Sequence, residues 1–240
     1  MNTVQRTIKD LVIANRILAN LGIVDAFGDV SARHPTEPGR FFLARPVSPA
    51  AVVPADVMEF GGDGAPLRSD NRGLAQERFL HAAIYEARPD LKAVLHAGPE
   101  DLLPFGITDT PLRPVIASVG DMGLHVPVWD IAKRFHDATD VSTLEQGRDF
   151  AHCLGNNRIC LIRGAGFVVT GRTLNDMVRL AAYVPRNGRA IMDATPFGKI
   201  TNISAGEVKA RLAIDPESNA MRRGWEYWAR QAGCEELLAD

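Results

Sequence analysis

Apolar residues recur with helical spacing in two places along the first half of the chain. Between Thr3 and Leu21 they return every three or four positions and predict a helix that Gly22 ends. The same spacing returns over Gln76–Ala87. Pro89 ends this second helix because it lacks a backbone N–H and disfavours helical geometry at the preceding residue. The apolar run Leu91–Leu95 follows and has the length of a strand, so a helix–strand unit is predicted here.

Short apolar runs bounded by turn-forming residues predict further strands. They are Phe27–Arg33 (a strand or a loop), Phe41–Ala44, Val57–Phe60, Leu112–Ser118, Leu124–Trp129, Arg158–Arg163 and Phe167–Thr170. Helix starts are predicted by the capping-box patterns Ser142–Glu145 and Ser204–Glu207, and by Thr173, which opens a long helix through Met192. This interleaving of helical and strand patterns predicts an α/β protein.

Polar residues of the helix–strand unit are expected to meet in one cleft. Glu77, His81 and Arg88 fall on one face of the predicted helix, and His96 follows the strand at its C-terminal end. Open α/β sheets bind ligands beyond the C-terminal ends of their parallel strands. We therefore expect Glu77 and His96 to face the same cleft.

Three stretches of the chain resemble the class II aldolase/adducin family. They are E-R-F-L-H…Y-E-A-R-P-D-L-K-A-V-L-H from Glu77 to His96, G-D-V-S-A-R-H-P at Gly28–Pro35, and L-I-R-G-A-G at Leu161–Gly166. The likeness extends over roughly residues 5–200. It implies a three-layer α/β/α fold with a central, largely antiparallel sheet. It also implies that Glu77 acts as an acid or base, so we expect Glu77 and His96 to be the catalytic pair. The most similar branch includes decarboxylases of hydroxylated aromatic dicarboxylic acids.

The resemblance also sets expectations for organisation and assembly. It implies one domain over residues 1–240 with a C-terminal helical extension, and a homo-oligomer, most simply a tetramer. Trp225, Tyr227 and Trp228 lie on an amphipathic pattern in that extension. Such aromatic residues bring a large apolar area to packing, so we expect them to cover the core or a neighbouring subunit.

The chain departs from the family at its metal ligands. The family holds a divalent metal with three histidines, and only His96 is retained, because Gly98 and Ala165 occupy the other two positions. A catalytic zinc-type site needs about three protein ligands, so altered or absent metal dependence is predicted. His125 could supply a relocated ligand, although a histidine on an apolar strand is more often structural. Asp29 replaces a family asparagine and should repel an anionic group beside it.

Five residues are candidate substrate contacts: Ser31, Arg45, His81, Arg163 and Tyr183. An arginine at a strand end suits bidentate binding of a carboxylate, although a solvated surface arginine is the commoner case. Ser31 could equally be a turn hydroxyl bonded to local backbone, and Tyr183 could equally be a core residue.

Composition limits the possible partners and location. Apolar residues make up 46% and charged residues 23% of the 240 positions, as in soluble globular proteins. A formal charge of −2 without basic runs argues against nucleic acid or an anionic membrane as partner. The first ten residues lack the apolar core of a signal peptide, and three cysteines show no metal-like spacing. These features predict a cytoplasmic protein, and the resemblance implies that its substrate is a small molecule.

Two functions are compatible with these patterns. The first is a lyase that decarboxylates, or cleaves by aldol-type chemistry, a small carboxylated or hydroxylated aromatic or carbonyl substrate. The second is an aldolase scaffold that has lost catalysis and serves in binding or assembly. Retention of Glu77, His81 and His96 favours the enzyme, whereas loss of two ligand histidines favours the scaffold.

Overall fold

A computed structural model describes residues 2–238. Its strands are β1 (Asp29–Arg33), β2 (Arg40–Ala44), β3 (Val57–Gly61), β4 (Ala93–Ala97), β5 (Val128–Trp129), β6 (Ile159–Ile162) and β7 (Gly166–Gly171). Its α-helices are α1 (Thr3–Asn20), α2 (Arg78–Ala87), α3 (Leu103–Ile107), α4 (Ala132–Phe135), α5 (Leu144–Leu154), α6 (Leu174–Ala194), α7 (Ala205–Leu212), α8 (Asn219–Gln231) and α9 (Glu235–Leu238).

The strands form one mixed sheet in the order β3-β2-β1-β4-β7-β6-β5. All neighbouring strands are antiparallel except β5 and β6, which are parallel. The expected largely antiparallel sheet is therefore present. Strand β4 lies at its centre between β1 and β7, so the His96 backbone is paired on both sides, with Asp29 and with Val168.

Alternate residues of each strand pack on opposite faces of the sheet, as the two-residue period of a strand requires. On one face, Val30, Leu95 and Val169 join a core with residues of α1 and α6. On the other face, Val94 and Val168 join a second core with residues of α2 and α5. Helices therefore cover both faces of the sheet. Helix α2 lies on the second face, next to β1 and β4.

Two predicted strands are wrong over most of their length. Residues 112–116 form no strand, a 3₁₀ helix follows at 117–122, and the second prediction shrinks to β5. Leu112, Val115 and Ile116 of the first segment are still partly or fully buried, but the backbone there has a different partner. The side-chain amide oxygen of Asn187 in α6 accepts the N–H groups of Val115 and Ile116, at 2.8 and 3.2 Å. Because Asn187 is far from this segment in the sequence, the local residues give no sign that it will accept their hydrogen bonds.

The start of α5 is shifted by one residue from its prediction. Thr143 rather than Ser142 caps the helix, and its hydroxyl accepts the N–H of Gln146, whose side chain in turn accepts the N–H of Thr143. The predicted caps at Thr173 and Ser204 are confirmed, and α6 continues through Pro185. For these three helices, the capping pattern thus located the first residue to within one position.

Helix α5 supports α2, and Gly147 sets the closeness of that contact. A Cβ atom at Gly147 would lie 2.4 Å from the carbonyl oxygen of Phe79 and 3.0 Å from the Cβ of Ala83. Helix propensity alone would make Gly147→Ala stabilising by up to about 1 kcal/mol. We expect the clash to exceed that gain and to lower the free energy of unfolding by about 1–2 kcal/mol, measured by urea denaturation.

Gly224→Ala is the matched control for Gly147→Ala. Gly224 also lies inside a helix, α8, but the nearest atom to its added Cβ is 3.4 Å away, at ordinary van der Waals distance. We expect this variant to be neutral or stabilised by up to about 1 kcal/mol. Equal stabilisation of both variants would show that α2 and α5 can separate freely.

Candidate active site

Three side chains from separate elements converge beside the central strand. Asp29 begins β1, His96 is the penultimate residue of β4, and Glu77 immediately precedes the first residue of α2. One ligand atom from each of these residues lies within 4.8 Å of the others. We call Asp29, Glu77 and His96 the acidic–histidine cluster.

The local backbone explains how Asp29 reaches His96. The two residues are register partners on adjacent strands, so their side chains project near one another. Gly28 allows the approach, because its φ is +121° and an added Cβ would lie 2.5 Å from Cγ1 of Val24. The backbone conformation and the close packing before Asp29 therefore favour glycine at position 28.

The cluster combines charged groups in a poorly solvated position. Burial, reinforced by the neighbouring Glu77, raises the pKa of Asp29 to about 7. Burial lowers the pKa of His96, and the nearby charge of Glu77 opposes that effect. Both ring nitrogens of His96 are buried and have no hydrogen-bond partner within residues 2–238. Two carboxyl groups thus face an imidazole whose polar atoms are unsatisfied.

A separate hydrogen-bonded chain lies next to the cluster in the interior. Nδ1 of His81 lies 2.7 Å from Oγ of Ser31, and that Oγ lies 2.9 Å from the hydroxyl of Tyr85. Ser31 follows Asp29 on the same face of β1, and His81 lies one turn after Glu77 in α2. Burial, with a contribution from His96, lowers the pKa of His81 to about 3, so its ring is neutral at ordinary pH.

Arg33, the last residue of β1, fixes the other end of α2. It donates hydrogen bonds to the carbonyl oxygens of Tyr85 and Arg88 at 2.9 Å each, and to that of Leu91 at 2.7 Å. Tyr85 lies in the last turn of α2 and Arg88 is its C-cap, so the arginine satisfies carbonyl oxygens at the end of the helix. Strand β1 carries Asp29 at its start and Arg33 at its end. It therefore contacts α2 at both ends: near Glu77, where the helix begins, and at the carbonyl oxygens where the helix finishes.

The other residues predicted from sequence make contacts of their own. Nε of Arg45 lies 2.7 Å from the carboxylate of Asp56, and Nε of Arg163 lies 2.8 Å from that of Asp130. Tyr183 packs near Trp228 and under Arg186. His125 is exposed in the segment before β5. The structure therefore brings Glu77 and His96 together, joins Ser31 to His81, and gives the remaining candidates separate partners.

The metal expected from the family can be tested against the donor atoms present. Gly98 and Ala165 offer no side-chain donor at the two lost ligand positions. The cluster, however, supplies two carboxylates and one imidazole, and the unpartnered nitrogens of His96 need a donor or a cation. A divalent cation would neutralise the carboxylates and satisfy the imidazole, so these residues fit one through a ligand set different from three histidines.

Sequence reasoning missed Asp29 as a member of this site. The change from asparagine to aspartate was visible, but we interpreted it only as a source of repulsion for anions. A gained carboxylate in a chain that has lost two ligand histidines is the signal that could have identified it. Its proximity to Glu77 and His96 required the pairing of β1 with β4.

Comparison with known proteins places this geometry in a family. Residues 9–190 match the model of the class II aldolase and adducin N-terminal domain. The decarboxylase tropJ of Talaromyces stipitatus is 25% identical over 249 residues, which cover 93% of both chains. The decarboxylase NovR of Streptomyces niveus is 30% identical over 135 residues, which cover 55% of this chain and 47% of NovR.

Solved structures share the fold at low sequence identity. An aldolase II superfamily protein from Pseudomonas syringae superposes with a TM-score of 0.80 at 16% identity and covers 99% of this chain and 96% of its own. The L-fuculose 1-phosphate aldolase of Glaciozyma antarctica PI12 gives 0.75 at 17% identity, with 97% and 92% covered. No helix within residues 2–238 is long and apolar enough to cross a membrane. With the family model matching most of its length, the chain belongs to the class II aldolase and adducin family.

Proposed function

We propose that the protein is a lyase that decarboxylates a small hydroxylated aromatic or carbonyl acid. The observation that carries the proposal is the convergence of Glu77 and His96, with Asp29, at the end of the central strand. The full-length similarity to a protein named as a decarboxylase supports decarboxylation over aldol-type cleavage. Aldol-type cleavage makes the same demands on the site and is the alternative within this class.

The reaction requires an electrophile and a proton. The bond between the carboxyl carbon and its neighbour breaks, CO₂ leaves, and the electron pair stays on a carbon conjugated to a carbonyl or phenol oxygen. A bound divalent cation would supply Lewis-acid stabilisation of the charge on that oxygen. Asp29, Glu77 and His96 are the residues that would hold it.

The chain's own groups then manage the proton. Glu77 lies immediately before the first residue of α2 and is half-buried beside Asp29 and His96. We assign it the transfer of a proton to the substrate carbon. His81 is neutral and its Nε2 has no partner within residues 2–238, so it is the candidate contact for the substrate oxygen. Ser31 fixes the orientation of that ring through its bond to Nδ1.

Arg163 is the better placed of the two candidate carboxylate-binding arginines. It follows β6 and opens the turn in which the carbonyl oxygen of Ala165 lies 3.2 Å from the position of a Cβ on Gly98, next to the end of β4. Its side chain is half-exposed, with Nε 2.8 Å from the carboxylate of Asp130. Arg45 has less support because its side chain is only 26% exposed and its partner Asp56 is buried.

Tyr183, beside Trp228, is retained as a candidate aromatic contact. A homo-oligomer, most simply a tetramer, stays a prediction. The exposed aromatic side chains of Phe197 and Tyr227 are compatible with covered surfaces in an assembly.

The proposal is tested by CO₂ release from a panel of hydroxybenzoic and hydroxyphenylpyruvic acids, with Mn²⁺ present. We expect turnover of at least one acid, and a loss of at least about 10²-fold in His96→Ala, because this variant removes a group of the reaction site. Glu86→Gln, at an exposed position of α2 paired with Arg148, is the control and should keep full activity. Binding of these acids without any release of CO₂ would support the binding-scaffold alternative instead.

A further inference from the structure

We propose that Asp29 has replaced the lost histidines as a metal ligand, so that this chain binds a divalent cation through two carboxylates and one imidazole. The inference concerns the same site as the proposed lyase activity and deepens that proposal, but it is argued and tested on binding alone. The ligands are Asp29, Glu77 and His96.

The geometry of the cluster is close to that of a coordination site. Ligand atoms about 2.0–2.2 Å from one cation lie at most about 4.4 Å from one another. The atoms of the cluster lie within 4.8 Å of one another, so small side-chain rotations complete the approach. The backbone already fixes two of the three, because Asp29 and His96 are paired on adjacent strands.

The state of His96 is an independent indication of a ligand. Both of its ring nitrogens are buried, and neither meets a hydrogen-bonding group within residues 2–238. Buried polar atoms without partners destabilise a fold, by about 1–3 kcal/mol for each unsatisfied group. Ser31, itself bonded to the hydroxyl of Tyr85, satisfies Nδ1 of His81, whereas neither nitrogen of His96 has such a partner within residues 2–238. An imidazole left this way beside two carboxylates is suited to coordinate a cation.

The ligand set indicates which cations the site favours. Carboxylate oxygens suit Mg²⁺ and Mn²⁺, whereas three imidazoles form a typical zinc site. Two carboxylates also cancel the double charge of the cation, whereas three neutral imidazoles would leave it uncompensated. The exchange of histidines for Asp29 should therefore shift relative affinity from zinc toward oxygen-preferring cations, compared with a three-histidine site.

The inference is tested by titrating chelator-treated protein with Mn²⁺. Binding is measured by calorimetry and by the electron paramagnetic resonance signal of free Mn²⁺. We expect one site per chain in the wild type. Asp29→Asn preserves shape and removes the charged ligand, so affinity should fall at least about 10-fold. Asp25→Asn lies in the preceding loop, where the aspartate accepts the local N–H of Phe27, and should bind like the wild type.

The thermal stability of Asp29→Asn, measured without metal, verifies that the variant is folded. Absence of a Mn²⁺ site in the wild type, or equal binding by Asp29→Asn and Asp25→Asn, would overturn the inference. The outcome is separable from the proposed function. Mn²⁺ binding without turnover of any acid would contradict the lyase alone, and undiminished turnover in chelated protein would contradict the metal site alone.

Discussion

Replacing Glu77 by glutamine is expected to lower turnover by about 10²–10⁴-fold while the protein stays folded. Glutamine keeps the size of the side chain but cannot release or accept the proton. Glu77 precedes α2 and makes no side-chain cap to that helix, so the substitution should leave the helix start intact. Loss of the proton-transfer group should therefore appear in kcat.

The two proposed roles of Glu77 can be separated by the metal concentration. Measured at saturating Mn²⁺, a pure ligand defect would be rescued, whereas a defect in proton transfer would persist. Glu86→Gln on the same helix serves as the control. If Glu77→Gln turns over substrate at the wild-type rate under these conditions, the proton moves through another group, and His81 is the next residue to replace.

Gly166→Ala is expected to lower the free energy of unfolding by about 2–5 kcal/mol. Gly166 opens β7 with a φ of +116°, where a side chain strains the backbone. An added Cβ would also lie 2.2 Å from the carbonyl oxygen of Ala97 and 2.5 Å from the Cα of Gly98. Both contacts are with backbone, so relief requires β7 to move away from the end of β4 that carries His96.

Gly164→Ala separates backbone strain from collision. Gly164 also has a positive φ, +71°, but its added Cβ has no atom of residues 2–238 within 4 Å apart from those of its chain neighbours. This variant should lose only about 1–2 kcal/mol in the same urea denaturation experiment. Equal losses in the two variants would show that the close approach of β7 to β4 contributes nothing.

Sequence patterns predicted the fold best where one face of an element is buried. Helices α1 and α6 and strands β6 and β7 were located to within about two residues, because burial imposes a regular apolar period on them. The failure at Leu112–Ser118 has the opposite cause. That segment is apolar because α6 covers it, and its hydrogen bonds go to Asn187, so its composition resembles that of a strand without strand pairing.

The site was predictable only in part for a similar reason. The spacing on α2 and the end of β4 identified Glu77 and His96, and the resemblance identified the scaffold. Asp29 joins them through strand pairing, which has no local signature. Ser31 and His81 were expected at the substrate, and the structure also bonds them to each other through Nδ1 of His81. This bond orients the His81 ring, while its Nε2 has no partner within residues 2–238, and neither fact could be read from the motif.

The central place of β4 also bears on how the chain is made. Synthesis proceeds from the N-terminus, so Asp29, Glu77 and His96 all emerge before β7, which covers the second edge of β4. Until Gly166–Gly171 is complete, the apolar strand Ala93–Ala97 has one unpaired edge, the kind of surface that recruits strands from other chains. A ribosome-bound chain that ends before β7 therefore carries every member of the acidic–histidine cluster while one edge of its central strand is still open to pairing with other chains.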